Sequence, residues 1–395
     1  MSSTQPVSAS GTDFHGGGEY AKTVFYRLCE LLPAEIFLDV FYDPQRNIDK
    51  WILEICKTRQ FTVHYCKNNA ELSKLLNSKN YDVFYSALPY SYTDLAIPLK
   101  TKFVYTVHGL RGLEYPADKY ELKYKKNGIK ALIKHFLFLF FSFWWKPNRI
   151  KKRKNNYNKL FSLTSNQAVI TISNHTKYSI AYFFPKINIS TINVLYPPLK
   201  KYNFSNNINT EIITSFSLES GKYILLACGN RSEKGAYRAC RVLYNLMKNQ
   251  GGIPESMKFV ILGISYCKPY RKLVKNNPRF LFNDYVSTET LEALYKNAHL
   301  FIFPTLNEGF GITPLEAMKY GTLCACSANS SITEVYGDSV LYFNPHDETE
   351  MCIRILQSFD ENIRCEKANK MLERCKLIRK KQDQDLDLLI QNIIS

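Results

Sequence analysis

The segment from Leu300 to Gly321 constrains this chain more than any other. Leu300–Phe303 is an unbroken apolar run of strand length, stopped by Pro304. A turn bearing Gly309 and Gly311 follows, where the backbone can bend sharply and come close to a ligand. Thr313, Pro314 and Glu316 then spell a helix start: a capping hydroxyl, a proline at the first helical position and an acid in the first turn. Gly321 reads as a left-handed cap at the far end. A strand, a glycine turn and a helix N-terminus together form an anion site of free amides and positive dipole. Thr313 and Glu316 also fit a capping box, in which Glu316 merely satisfies those amides. Capping one helix does not require Glu308, a second carboxylate on the other side of the glycine turn.

The same grammar repeats. Phe37–Phe41, Phe61–Tyr65, Tyr81–Tyr85, Phe103–Val107, Val169–Ile172, Tyr223–Ala227, Lys258–Leu262 and Phe280–Val286 read as strands between helical stretches. Such β-α units imply parallel sheets with right-handed crossovers, an α/β protein. At 395 residues the chain exceeds one ordinary core. The polar stretch Asn203–Ser220 has the composition of a linker and predicts domains over 1–202 and 221–375. A final charged-then-apolar helix over 376–395 is expected to pack back on the first domain through Leu386, Leu388, Leu389 and Ile393. The first strand is weak: only Pro6–Ala9 hints at one, so either the first domain starts incompletely or its first strand is unusually polar. Eleven cysteines lie scattered without a C-x-x-C pair and no secretory leader is legible, which fits reduced thiols in the cytoplasm. Cys324 and Cys326 should share one face of a short buried strand.

Three further places invite a ligand. Gly16, Gly17 and Gly18 precede an amphipathic run, Ala21–Leu32, and suit close approach to a phosphate; a plain flexible loop explains them equally well. His108 follows the strand Phe103–Val107 at its carboxyl end, where ligands bind in open α/β sheets. Arg231 and Lys234 lie between the strand Tyr223–Ala227 and the helix expected from Ala236, placed to fork and neutralise a diphosphate.

Glu308 and Glu316, with seven residues between them, resemble the E-x7-E motif of nucleotide-sugar glycosyltransferases of family four, the retaining group 1 type. The likeness runs on through Ser330–Asp338 and Leu341–Pro345. It implies the GT-B fold, two Rossmann-like domains facing a central cleft. It implies transfer of a hexose from a UDP- or GDP-linked sugar to a glycan or lipid-linked acceptor hydroxyl, with retention, in surface polysaccharide synthesis such as that of lipopolysaccharide. In that family Glu308 would touch the sugar and Glu316 the ribose. His108 would contact the donor sugar, although the acidic residue usual after it is Gly109 here. Gly16–Gly18 would sit beside the diphosphate, with Arg231 and Lys234 holding it. Tyr285 and Val286 would cradle the base through backbone groups, and Phe310, Gly311, Ile312 and Thr313 would form the donor loop. No metal or other cofactor is implied: Asp385-Leu386-Asp387 matches a metal-binding D-x-D superficially but has no strand before it. Epimerases and phosphorylases of the same fold, and a non-catalytic binding subunit, are the competing readings.

The net charge of +17 asks for an anionic partner. No nucleic-acid module is evident, so none is expected as partner. Phe136–Trp145, a ten-residue block apolar and aromatic except for Ser142, is too short to span a bilayer and is followed by Lys146, Arg149, Lys151, Lys152, Arg153, Lys154 and Lys159. Residues 136–159 therefore read either as an interfacial segment on the inner face of an anionic membrane or as a core helix followed by a solvated charge run.

Overall fold

The computed structural model describes residues 16–43, 49–124, 147–198, 211–229, 231–249 and 252–395. The expected strand at Pro6–Ala9 and the apolar block Phe136–Trp145 lie outside them. The chain divides into two compact units: Met1–Leu113, Ile150–Tyr202 and Arg379–Ser395 form unit 1, and Glu114–Arg149 with Asn203–Ile378 form unit 2.

In unit 1, α1 (Gly16–Leu31) leads to β1 (Asp39–Tyr42), α2 (Lys50–Thr58), β2 (Thr62–Tyr65), α3 (Asn69–Lys79), β3 (Val83–Ser86) and β4 (Lys102–Val107). A single turn, α4 (Arg111–Glu114), and the helix α5 (147–161) precede β5 (Gln167–Thr171), α6 (Asn174–Phe183) and β6 (Ile192–Val194). All pairings are parallel: β3-β4-β5-β6 form one sheet and β1-β2 another. Five of the six residues of β4 are buried, as expected for a parallel strand covered on both faces. Its aromatic side stacks Phe84, Phe103 and Tyr105 into the unit's core, which also takes Ile180 and Phe184 from α6.

The triple glycine differs from expectation. Gly16–Gly18 form the first turn of α1 instead of a loop before it, and none has a positive φ. Burial of Tyr20, Ala21, Val24, Phe25 and Leu28 along one face drives the helix and carries it back through residues of poor helix propensity.

Unit 2 holds α7 (Glu211–Ser215), β7 (Tyr223–Ala227), α8 (Ala236–Lys248), β8 (Lys258–Leu262), α9 (Lys268–Leu273), β9 (Phe280–Phe282) and α10 (Thr288–Asn297). There follow β10 (Leu300–Phe303), α11 (Thr313–Met318), β11 (Cys324–Ser327), α12 (Ile332–Tyr336), β12 (Leu341–Phe343), α13 (Glu348–Gln357) and α14 (Glu361–Ile394). The strand order is β12-β11-β10-β7-β8-β9, every pairing parallel. The order reverses between β7 and β10. This is the doubly wound arrangement, whose ligand crevice opens at the carboxyl ends of the two strands flanking the reversal.

Two boundaries also differ from expectation. The described part of the expected linker is built into unit 2: α7 is helical, and Ile213 and Leu218 are buried. Residues from Glu114 on leave unit 1 and join unit 2. There Asp118 meets Arg238 at 2.5 Å with both side chains buried, and the Tyr124 hydroxyl accepts the Tyr237 amide at 2.9 Å. A buried pair of this kind is strongly costly to break, so the excursion is fixed at a definite place. The last residues of α14 are held in unit 1: Asp385 accepts the Tyr196 amide at 2.7 Å, and Arg27 reaches Asp387 at 2.8 Å.

Candidate functional site

At the carboxyl end of β7 the chain turns through Cys228 and Gly229 and reaches the 3-10 turn Ser232–Lys234, which ends at Gly235. At the end of β10 it turns through Pro304–Ile312 into α11. The two loops nearly interpenetrate. Gly235 has φ +71°, and a side-chain carbon there would sit 1.9 Å from the Pro304 carbonyl oxygen. The Glu233 carbonyl accepts the Leu306 amide at 2.7 Å, with Thr305 Oγ1 3.2 Å away. Because the strands are neighbours in the sheet, residues far apart in sequence are locked side by side.

That locking brings Lys234 to Glu308. The Lys234 ammonium donates to Glu308 Oε1 at 2.5 Å, and Thr305 Oγ1 donates to the same oxygen at 3.0 Å. Both side chains are about nine-tenths buried, at 12% and 9% exposure, so the pair is poorly screened by water. The Lys234 ammonium also lies 5.5 Å from the centroid of the Phe303 ring. Below it, burial pushes the Cys228 thiol up to about 12; the nearby lysine acts in the opposite direction. Cys228 is thus an inert apolar neighbour.

The Glu308 loop is fastened from beneath. Its amide donates to Ser330 Oγ at 2.9 Å, and its carbonyl accepts Ser331 Oγ at 3.1 Å. Asn329 donates to the carbonyls of Thr305 and Leu306 at 3.2 and 2.9 Å. Gly311 has φ +83°, and a side-chain carbon there would meet Ile332 Cδ1 at 2.4 Å. The left-handed turn is therefore what asks for glycine here, and a side chain would also push the Ile332 methyl aside. Asn307 donates to the carboxylate of Glu114.

Thr313 does not cap α11: it is the first helical residue, Ile312 takes the cap position, and no side chain caps the turn. Tyr336 takes that role from outside the helix. Its hydroxyl accepts the Leu315 amide at 3.2 Å and donates to the Gly311 carbonyl, with burial holding its pKa far above the ordinary phenol value. The Glu316 carboxylate accepts the Tyr295 hydroxyl at 3.4 Å and stays half-buried at the loop-helix junction. Gly321 does take the left-handed conformation, φ +77°.

Arg231 lies on the same turn as Lys234, half-exposed, with Glu233 at 3.6 Å. Phe310 is buried at 3% exposure, so only its backbone can face a ligand. Tyr285 and Val286 follow β9, which is shorter than expected and ends at Phe282. Tyr285 is 46% exposed, and its hydroxyl lies 3.5 Å from where a side-chain carbon on Gly229 would be. Arg231, Lys234, Tyr285, Val286, Glu308, Phe310, Gly311, Ile312, Thr313 and Glu316 therefore all sit at the carboxyl ends of β7, β9 and β10 in unit 2.

The remaining candidates belong to unit 1. His108 stands at the carboxyl end of β4; its Nε2–H donates to the Ala87 carbonyl at 2.8 Å, and its amide donates to Tyr90 Oη at 2.7 Å. Its ring packs edge-on against Tyr20 at 4.7 Å, only two residues beyond Gly18, so His108 and the glycine turn are neighbours. Tyr20 in turn hydrogen-bonds Thr106 at 3.1 Å, and burial pushes its pKa up to about 12. Sequence reasoning missed Thr305, Asn329 and the Glu114–Asn307 contact. Ser330 and Ser331 lay inside the recognised stretch but carried no assigned role.

Comparison with known proteins bears on the same unit. Residues 209–390, most of unit 2 with part of the last helix, match the family of glycosyl transferases group 1. The serotype-specific mannosyltransferase WbdA of Escherichia coli is 44% identical over 69 residues, 18% of this chain and 8% of WbdA. The O-antigen chain mannosyltransferase RfbU of Salmonella typhimurium is 26% identical over 263 residues, 65% of this chain and 60% of RfbU. The chain thus spans less than two thirds of either relative. The crystal structure of Anabaena HepE in complex with UDP-glucose superposes with a TM-score of 0.64 at 12% identity, covering 96% of this chain and 95% of HepE, a likeness of fold. With the doubly wound unit 2 sheet and the parallel sheets of unit 1, the chain has the GT-B fold, and its residues 209–390 are similar to the glycosyl transferases of group 1.

Proposed function

We propose that this chain transfers a hexose, with retention, from a nucleoside-diphosphate sugar to a hydroxyl of a glycan or lipid-linked acceptor. The observation that carries this reading is the buried Lys234–Glu308 pair at the strand reversal of unit 2, with Arg231 beside it and Glu316 at the start of α11. The reaction breaks the bond between the anomeric carbon and the diphosphate oxygen and forms one to the acceptor oxygen, which loses its proton. Charge builds on the leaving diphosphate. A lysine and an arginine on one turn, and the amides of the Gly311 turn, are the groups that stabilise it, so no metal is needed in this reading. Glu308 faces the sugar, Glu316 the ribose, and His108 with Gly16–Gly18 serve the donor sugar and diphosphate. Retention and this division of roles rest on the family resemblance.

Both relatives are named mannosyltransferases, one of them for O-antigen chains, so mannose is the first sugar to try. HepE binds UDP-glucose, which makes UDP the second base beside GDP. Lipopolysaccharide-type acceptors at the cytoplasmic face of a membrane extend this reading.

The test is direct. Purified protein is given GDP-mannose or UDP-glucose with a lipid-linked oligosaccharide, and nucleoside diphosphate release is followed with acceptor mass. One hexose added per diphosphate released, lost in Lys234→Ala, supports transfer. Release without acceptor growth, or an isomerised sugar nucleotide, overturns it.

A further inference from the structure

We propose that the outer face of α5 and α6 in unit 1 docks on an anionic lipid bilayer. The sequence supplies the first observation. From Leu122 to Thr210 there are sixteen Lys and Arg residues and not one Asp or Glu, so this stretch carries +16 of the chain's +17.

The fold supplies the second. β4, β5 and β6 are sheet neighbours in chain order, and right-handed crossovers place the helices that join them on one face. Ile150, Tyr157 and Phe161 of α5 and Ile180, Phe183 and Phe184 of α6 enter one core cluster. The ring of Phe184 lies 5.1 Å from Phe161 and 5.8 Å from Tyr157. With their inner sides in contact, the outer sides of the two helices form one continuous surface.

That surface is basic and aromatic at once. Lys151, Lys152, Lys154 and Lys159 point outward from α5, and neither helix offers a carboxylate to pair with them. On α6, Tyr178 and Tyr182 stand one turn apart at 63% and 80% exposure. Tyrosines with an apolar ring and a polar tip suit the headgroup depth of a bilayer, and lysines reach its phosphates on long stems. Nucleic acid fits less well, because the arginines that would fork phosphates are used internally. Arg153 donates to the Gly112 carbonyl at 2.7 Å, and Arg149 lies 3.8 Å from Glu121. The proposal extends the expectation for residues 136–159 to a folded face. It depends neither on Phe136–Trp145 nor on the sugar-transfer reading.

The experiment is sedimentation of the full-length protein with phosphatidylcholine vesicles, with and without phosphatidylglycerol. Wild type should bind the anionic vesicles, less so as salt is raised. Replacing Lys151, Lys152, Lys154 and Lys159 by Gln should weaken binding by roughly a hundredfold or more. Tyr178→Ser with Tyr182→Ser should weaken it by about tenfold and remove the part that survives salt. All six positions are exposed, so both variants should melt like wild type. The proposal falls if wild type shows no preference for anionic vesicles. It also falls if both variants bind normally and only Trp144→Ser with Trp145→Ser releases the protein. Single-stranded RNA binding tighter than vesicles, lost with the lysines but not the tyrosines, would assign the face to nucleic acid and overturn the lipid claim.

Discussion

Lys234 has one ammonium and two suitors. In the structure its charge is satisfied by Glu308 at 2.5 Å in a site with little water, so a diphosphate arriving at the β7 turn must compete with that carboxylate. Exchange of the lysine from carboxylate to phosphate would also release Glu308 toward the sugar, coupling the two events. This makes an asymmetric prediction. Lys234→Ala should weaken binding of free nucleoside diphosphate by the loss of a charge-assisted contact, about 1.5–3 kcal/mol, and leave the nucleoside unaffected. Glu308→Gln should tighten nucleoside diphosphate by about tenfold, since the neutral amide competes poorly for the ammonium, while turnover collapses. Calorimetric titration of the three proteins with UDP and GDP decides it. Unchanged or weaker diphosphate binding in Glu308→Gln would show that the pair does not restrain the lysine.

At the scale of elements, the site depends on how closely the loops after β7 and β10 approach. Gly235→Ala forces a side-chain carbon onto the Pro304 carbonyl and also demands a left-handed alanine. Gly221→Ala demands a similar conformation, φ +73°, but meets nothing within 4 Å. Gly221→Ala should therefore cost about 1–2 kcal/mol and spare diphosphate binding. Gly235→Ala should cost more and weaken diphosphate binding as well, because the Thr305–Glu308 loop must move. Denaturant titration with diphosphate affinity checks both; equal losses in the two variants would mean that the loops tolerate separation. The same elements show what sequence could and could not reveal. β7, β8 and β10 were legible because strands buried on both faces are short unbroken apolar runs, and Glu308 and Glu316 were legible because motif and strand end coincide. The loop contacts were not, since Lys234 and Glu308 are 74 residues apart and only strand order makes them neighbours. The Asp118–Arg238 pair left no local mark either: Arg238 lies in an ordinary amphipathic pattern, and its burial is decided by a segment 120 residues away. The helical start at Gly16–Gly18 was hidden because propensity argued against it and tertiary burial overrode propensity.

The stability of the whole molecule should carry a titration from a residue outside the site. His299 begins β10 from below, packed against Phe359 with ring centroids 4.3 Å apart and hydrogen-bonded to Ser358 at 3.2 Å. The Arg364 guanidinium donates to its carbonyl at 3.0 Å, so the residue leading into β10 and the chain around the α13–α14 junction meet at this imidazole. Burial, assisted by the Arg364 charge, pushes its pKa down from 6.5 to about 4. The folded state thus resists a proton that the unfolded chain accepts. Between pH 6.5 and about 4 the unfolded state binds more protons, so stability falls as pH is lowered through that window and levels off below it. A shift of this size corresponds to a loss of roughly 3 kcal/mol at most. With two units in the chain, unfolding need not be two-state, and the loss should appear in the transition of unit 2 alone. Scanning calorimetry from pH 7 to pH 4 on wild type and His299→Gln separates this from general acid effects, because the glutamine does not titrate. Parallel pH profiles for the two proteins would remove His299 from the account.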